Sequence, residues 1–261
     1  MKIVNSIRNN IPNAITCCNL LSGALACIAA FHAFEPWWWG RQGYEVAFVL
    51  IAAAAVFDFF DGFAARLLGV SSPIGKELDS LADDITFGFA PATIVFSILG
   101  KLLPAGTACS AGCPLACVGQ ALLPYLPYAA FLIAAFSALR LAKFNLDERQ
   151  QTGFIGLPTP ANALFWGALA QTLPTDAPNA LLFWSLLGGA LISCWLLVAE
   201  IPMFALKFKH FGWHGNALRY SFALASIALL CVLGLAGFSA VIVLYIVCSL
   251  VNNAVAKAGK Q

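Results

Sequence analysis

Residues 45–83 read EVAFVLIAAAAVFDFFDGFAARLLGVSSPIGKELDSLAD. From Val46 to Phe57 there is no charged side chain. That is the composition of a helix buried in hydrocarbon, because an amphipathic surface helix would show a polar stripe. Ser71, Ser72, Pro73 and Gly75 then suit a tight reversal, and a second apolar run follows. Within these otherwise apolar runs, Asp58 and Asp61 are three residues apart and Asp79 and Asp83 four apart. Both spacings put side chains on one helical face, and the reversal brings the four carboxylates together.

The rest of the chain agrees with this reading. Of its 261 residues, 61% are hydrophobic and 10% charged, against roughly 25% charged in soluble domains. The mean hydropathy is +0.85. A soluble globule, a disordered chain and a secreted disulfide scaffold are thereby disfavoured. The fold expected is an all-α polytopic integral membrane bundle of about eight transmembrane helices, over residues 14–34, 45–69, 77–101, 121–145, 160–174, 179–199, 217–235 and 238–255. The first segment, starting after Pro12-Asn13, is too long for a signal-peptide core and lacks a convincing cleavage site, so it reads as retained. The fifth is short, with Pro158 and Pro160 just before it.

Eight spans put both termini on one side. Twelve of the fourteen Lys and Arg residues then share that side, leaving only Arg41 and Lys101 opposite. By the positive-inside rule the termini are cytoplasmic. Trp37, Trp38 and Trp39 read as an interfacial aromatic belt on the outer side. The loop holding Cys109, Cys113 and Cys117 faces outward too, where two could pair. Cys17, Cys18, Cys27, Cys194, Cys231 and Cys248 lie in apolar runs and read as small buried hydrophobes. His210 and His214 sit in a basic loop suited to surface or headgroup contact. A net charge of +2 gives no footprint for nucleic acid.

Six of the twelve acidic residues fall between Asp58 and Asp84. Clustered anions repel and are costly to desolvate, and Arg66 alone cannot balance them. Hard divalent cations with oxygen ligands, Mg²⁺ or Mn²⁺, are the natural compensation, and such ions also bind substrate phosphates. Gly62, Ala65 and Gly69 form a small-residue face that admits close helix packing or close ligand approach. The bland alternative is a packed helix pair salt-bridged to loop lysines. A cation transporter or channel would explain buried carboxylates, but not the Gly75 spacing or the small-residue face. A scaffold or inactive relative is disfavoured by the intact aspartate set.

The pattern Asp58-x2-Asp61-Gly62-x2-Ala65-Arg66-x8-Gly75-x3-Asp79-x3-Asp83 resembles the signature of the CDP-alcohol phosphatidyltransferases at every defining position. The resemblance implies transfer of a phosphatidyl group from CDP-diacylglycerol to an alcohol, with release of CMP and without a covalent enzyme intermediate. It implies that Asp58, Asp61, Asp79 and Asp83 bind one or two divalent ions and that Asp83 is the catalytic general base. The nucleotide-lipid site would comprise Asn13, Thr16, Asp61, Gly62, Ala65, Arg66 and Gly75. Residues 1–200 would form the six-span family core and residues 201–261 a cytoplasmic loop with two added spans. A homodimer in the cytoplasmic (inner) membrane is also implied, with the active site facing the cytoplasm and the substrate entering laterally from the bilayer.

Two stretches resemble the phosphatidylserine synthase branch. One is Ile11 to Gly23, where Asn19 stands at a position usually Arg in relatives that use glycerol phosphate. Neutral Asn19 fits an unphosphorylated alcohol. For Asn13 the plain alternative is helix N-capping, and for Asn19 and Gly23 interhelical packing. The other runs from Arg140 through Asn145 to the Gly156-Leu157-Pro158 turn. L-serine carries a carboxylate that needs a cationic or amide partner, and Arg140 and Asn145 are the candidates. Alternatively Arg140, Lys143 and Arg149 only follow the positive-inside rule or bind anionic lipid. Glycerol 3-phosphate and inositol remain alternative acceptors.

Overall fold

The computed structural model describes residues 2–70, 72–104, 121–147, 149, 154–204, 212 and 216–258. Its helices are α1 (Lys2–Phe31), α2 (Gly43–Leu68), α3 (Pro73–Leu102), α4 (Leu123–Leu146), α5 (Thr159–Ala170), α6 (Ala180–Val198), α7 (Ala217–Leu233) and α8 (Gly237–Ala258). Two short strands, β1 (Phe154–Ile155) and β2 (Pro202–Met203), pair antiparallel. The chain is an all-α polytopic membrane protein, as its composition requires.

Six helical runs are long and apolar enough to cross a bilayer. The last covers Ala217–Val255, 39 residues, about twice one span. It breaks at a 3₁₀ turn over Gly234–Ala236, where Gly234 takes φ +58°. A Cβ on Gly237 would stand 2.8 Å from the Leu229 carbonyl oxygen, so α8 folds back on α7. The eight apolar segments thus correspond to the eight helices named above among the described residues. One expectation is corrected: α5, with 12 residues, is about 18 Å long and too short to cross roughly 30 Å of hydrocarbon. It is instead buried against its neighbours through Thr159, Asn162, Ala163 and Trp166.

A second correction concerns the start of α1, which runs from Lys2 straight through Pro12. Proline fixes a helical φ and forfeits one backbone hydrogen bond inside the helix, and the Thr16 hydroxyl oxygen lies 3.1 Å from the Pro12 carbonyl oxygen, its one proton being given to Asp61. Asn13 therefore lies inside a helix and is no N-cap. The cysteines are corrected as well: Cys27 and Cys194 are buried, but Cys17, Cys18 and Cys231 are exposed on helix faces. Cys109, Cys113, Cys117, His210 and His214 lie outside the described residues.

Local chemistry explains how the hairpin of α2 and α3 is made. Gly69 ends α2 in the left-handed region at φ +61°, and the Val70 amide donates back to the Ala65 carbonyl at 3.0 Å. Ser72 caps α3, its hydroxyl oxygen accepting from the Gly75 amide at 2.9 Å, with Pro73 in the first turn. Partway along, α3 loosens into a π turn over Asp84–Phe89. Such turns insert an extra residue and re-aim the side chains around them, often at functional sites.

The core is formed by small residues of α1 (Ala26, Ala29, Ala30) against Ile51 of α2 and Ile94, Val95 and Leu99 of α3, with Ile133, Trp166 and Phe183 closing it. A smaller cluster of Leu157, Met203, Phe222 and Tyr245 attaches α7 and α8. Those two helices present Leu224, Val232 and Val251 outward, a surface suited to lipid. Cross-links sort the helix ends. The Asn179 amide donates to the Leu102 carbonyl, and Lys101 sits over the Phe34 ring at 5.6 Å. At the other end Lys76 Nζ donates to the Asn145 carbonyl, and Asn253 to the Pro202 carbonyl. Arg41 and Lys101 therefore share one end of the bundle, while Arg66, Lys76 and Lys143 share the other, as the charge pattern requires. Trp37 and Trp38 stack at 5.1 Å at the Arg41 end, with Trp39 exposed beside them.

Candidate active site between α1, α2 and α3

The three aspartates Asp58, Asp61 and Asp79 each offer a carboxylate oxygen, and these oxygens all lie within 4.8 Å of one another. Two come from the second half of α2 and one from the second turn of α3, so the capped reversal at Gly69 and Ser72 sets their distance. Asp61 is held from α1: the Thr16 hydroxyl donates to its Oδ2 at 2.6 Å. Asp79 Oδ1 is buried with no hydrogen-bond partner. Three mutually close carboxylates with an unsatisfied buried oxygen fit a hard divalent cation. Among the described residues none of the three forms an ion pair that would offset their repulsion.

Asp83 stands outside that triad. Asn19 Nδ2, fully buried on α1, donates to its Oδ1 at 3.1 Å. Asp83 remains within electrostatic range of Asp58, Asp79 and Asp61, and of Arg140 on α4. Asn19 is fixed from a third side by Thr86, whose hydroxyl donates to the Asn19 carbonyl at 3.2 Å. Gly23, one turn further along α1, is where α3 comes closest: a Cβ there would collide with Oγ1, Cβ and Cα of Thr86. The packing alternative for Gly23 thus holds, and Asn19 both packs and orients an aspartate.

A cavity of about 460 Å³ opens beside the triad. Asn13, Thr16, Asp61, Gly62, Ala65 and Gly75 line it, which are six of the seven residues expected at the nucleotide-lipid site. The seventh, Arg66, is exposed on α2 and does not line the cavity. Gly62 and Gly69 leave open space where a side chain would stand, whereas at Gly75 a Cβ would meet Asn13 Oδ1 at 2.9 Å. Gly75 is therefore needed for the approach of α3 to α1, and Gly62 leaves cavity volume free. Lys76 also lines the cavity, which sequence reasoning missed. Its position inside the Gly75-to-Asp79 motif was the available signal, since a cation there meets phosphate.

The two residues expected to meet serine have different surroundings. Arg140 is buried, with Nε and Nη2 lacking hydrogen-bond partners and its guanidinium 5.4 Å from the Phe144 ring centre. Asn145 commits its amide to Ser80 Oγ at 2.8 Å and ties α4 to α3. Arg140 also lines a second cavity of about 290 Å³ with Lys143 and Arg149. There Arg149 is paired with Asp147 at 2.9 Å and approaches Glu200 at 3.7 Å. The Gly-Leu-Pro turn is closely packed against α6. Gly156 takes φ +77°, a Cβ there would meet the Leu197 carbonyl oxygen at 2.7 Å, and the Leu157 amide donates to Leu196.

A helical membrane bundle with a paired-aspartate hairpin at its basic end defines a class, and the sequence comparison gives that class a name. The chain belongs to the CDP-alcohol phosphatidyltransferase family, whose profile matches residues 9–203. Several relatives bear the name CDP-diacylglycerol--serine O-phosphatidyltransferase. That of Bacillus subtilis (strain 168) is 31% identical over 207 residues, covering 79% of this chain and 93% of the relative. That of Mycobacterium leprae (strain TN) is 35% identical over 167 residues, 61% of this chain and 49% of the relative. That of Methanocaldococcus jannaschii is 30% identical over 172 residues, 66% of each. The chain thus spans about half the length of the Mycobacterium leprae relative and nearly all of the Bacillus subtilis one.

Proposed function

We propose that this protein transfers the phosphatidyl group of CDP-diacylglycerol to the hydroxyl of L-serine, giving phosphatidylserine and CMP, and that it requires a divalent cation. The observation that carries the reading is the triad of Asp58, Asp61 and Asp79 within 4.8 Å, beside a cavity walled by the small residues Gly62, Ala65 and Gly69. The printed name of the relatives supports serine as acceptor, and Asn19, donating to Asp83 where a phosphorylated acceptor would call for a cation, agrees with it.

Asp58, Asp61 and Asp79 would hold the cation, Mg²⁺ or Mn²⁺ by the hardness of the donors, as one or two ions. Bound there, it supplies charge neutralisation at the pyrophosphate. The protein's own groups do the rest. Thr16 fixes the Asp61 carboxylate. The bare faces at Gly62 and Gly69 let the nucleotide diphosphate approach the α2 backbone. Lys76 offers an ammonium to its phosphates. Asp83, oriented by Asn19, takes the proton of the serine hydroxyl as the serine oxygen bonds to the diacylglycerol-linked phosphorus. The bond from that phosphorus to CMP breaks, and CMP leaves with the electron pair. Such chemistry relies on positioning and electrostatics.

The acyl chains would stay in lipid, the substrate entering from the inner leaflet of the cytoplasmic membrane with the site facing the cytoplasm. Residues 1–200 would be the catalytic core, 201–261 an addition, and the working unit a homodimer. The test is product identification. Purified protein with CDP-diacylglycerol and Mg²⁺ or Mn²⁺ should form phosphatidylserine from serine. Much faster use of glycerol 3-phosphate or inositol would reject the acceptor assignment and keep the family chemistry.

A further inference from the structure

Helices α7 and α8 belong to the stretch proposed above as an addition to the catalytic core. A span needs only apolar side chains to stay in a bilayer, and α8 carries more than that. Ser239, Tyr245 and Asn253 fall within about a third of its circumference at 3.6 residues per turn, and each donates to a backbone carbonyl outside the helix. The Ser239 hydroxyl donates to Phe165 of α5 at 3.1 Å, the Tyr245 hydroxyl to Phe204 at 3.1 Å, and the Asn253 amide to Pro202 at 2.6 Å. Hydrogen bonds of this kind fix a partner within the bundle.

The partner of Tyr245 and Asn253 is the β1–β2 pair. The rings of Tyr245 and Phe204 lie 4.9 Å apart and those of Phe204 and Phe222 5.4 Å, with Tyr245 buried among them. Pro202 and Met203 pair with Ile155 and Phe154, and the Gly156 amide donates to the Ile201 carbonyl at 2.9 Å. Ile155 lines the second cavity together with Arg140, Leu197 and Glu200. The position of α8 is therefore passed through β2 to β1, and from β1 to a wall of the Arg140 cavity. A shorter route runs beside it, because Tyr245 lies within electrostatic range of Arg140. With its proton given to Phe204, the phenol oxygen keeps only lone pairs for its other neighbours, and the guanidinium has Nε and Nη2 without partners. The first cavity, by contrast, is lined by no described residue of α8 or of the β1–β2 pair.

We propose that Tyr245 and Asn253 of α8 are positioning residues: they hold β2, and through it β1, where the two shape the cavity beside Arg140, so that the added spans govern use of the acceptor and leave binding of the nucleotide lipid alone. The inference rests on the reading of Arg140 as the residue that meets the acceptor carboxylate. A wall freed from α8 must be ordered when the acceptor arrives, and that ordering costs affinity.

The experiment measures KM and kcat for serine in the intact protein with CDP-diacylglycerol and Mg²⁺, with CDP-diacylglycerol binding followed alongside. Tyr245→Phe keeps the ring contacts and removes the hydroxyl, and Asn253→Ala removes the amide. Each loses one neutral hydrogen bond, so the serine KM should rise roughly two- to tenfold, and further in the double variant, while kcat and CDP-diacylglycerol affinity stay near wild type. Asn253 is exposed, so its variant decides the matter if Tyr245→Phe does not fold. A general loosening of the fold would weaken CDP-diacylglycerol binding and lower kcat together with the change in KM, and that result overturns the positioning role. Wild-type serine KM in both variants, beside a raised KM in Arg140→Gln, overturns the role of α8 alone. An unchanged serine KM in Arg140→Gln overturns the reading of Arg140 and the inference with it.

Discussion

Thr16 contributes a single hydroxyl, yet that hydroxyl links α1 to the aspartate cluster by donating to Asp61 at 2.6 Å. Thr16→Val keeps the shape and removes the donor. Hydrogen bonds to charged groups contribute about 1.5–3 kcal/mol, so the cation concentration for half-maximal CMP release should rise on the order of tenfold, with Thr16→Ser restoring it. An unchanged metal requirement would show that Asp61 orients itself. Gly62 and Gly23 make a contrasting pair at the same scale. A Cβ at Gly62 meets nothing within 4 Å, whereas at Gly23 it strikes Thr86. Gly62→Ala should therefore leave thermal stability intact and weaken CDP-diacylglycerol binding, because the new methyl enters the cavity. Gly23→Ala should destabilise by about 1–3 kcal/mol, as overpacked sites do. Thermal unfolding and nucleotide-lipid binding, measured on both, check the pair.

Among the elements, the α2–α3 hairpin was the most legible in sequence. Asp58, Asp61, Asp79 and Asp83 at helical spacing, with Ser71, Ser72, Pro73 and Gly75 as the reversal signal, give its geometry through local rules alone. The contact between Asn19 and Asp83, 64 residues apart, was not legible, because no local spacing encodes it. The π turn was hidden for a similar reason: it depends on how Gly88 meets Ser137 of another helix. Helix α1 was misread at Pro12 because a proline stops a helix more often than it lies within one, and tertiary packing overrode that preference. At the Gly156-Leu157-Pro158 turn, Gly156→Ala must strain a φ of +77° and push a methyl toward the Leu197 carbonyl. It should lower the melting temperature by several degrees and loosen α5 from α6, seen as faster backbone amide exchange over residues 155–162. Exchange rates like those of the wild type would mean that the β1–β2 pair holds α5 without this turn.

For the whole molecule, the charge distribution and the cross-links between helix ends give one orientation. The start of α1 and the end of α8 lie at the end carrying Arg66, Lys76 and Lys143, and Trp39 lies at the other. Tags at the two termini should be protected in intact cells, and a cysteine introduced as Trp39→Cys should react with an impermeant thiol reagent from outside. A protected Trp39→Cys with exposed termini would invert the topology and move the site to the wrong side for a cytoplasmic acceptor. Although α5 alone is too short to cross hydrocarbon, Gln171 just after it donates to the Tyr44 carbonyl near Arg41, so the chain still changes ends within the bundle.

The central claim is a division of labour among four carboxylates, with Asp58, Asp61 and Asp79 holding the cation and Asp83 accepting the proton. The most direct measurement is serine-dependent CMP release against metal concentration in Asp58→Asn and Asp83→Asn, with CDP-diacylglycerol binding followed in parallel. Asp58→Asn removes a ligand charge, so it should shift the metal curve to higher concentration and recover part of its turnover at excess metal. Asp83→Asn removes the proton acceptor, so turnover should fall about 10²–10⁴-fold and stay low at saturating metal while the nucleotide lipid still binds. Restoration of Asp83→Asn to near wild-type turnover by excess metal would contradict the account, because it would make Asp83 another ligand and leave the reaction without its base.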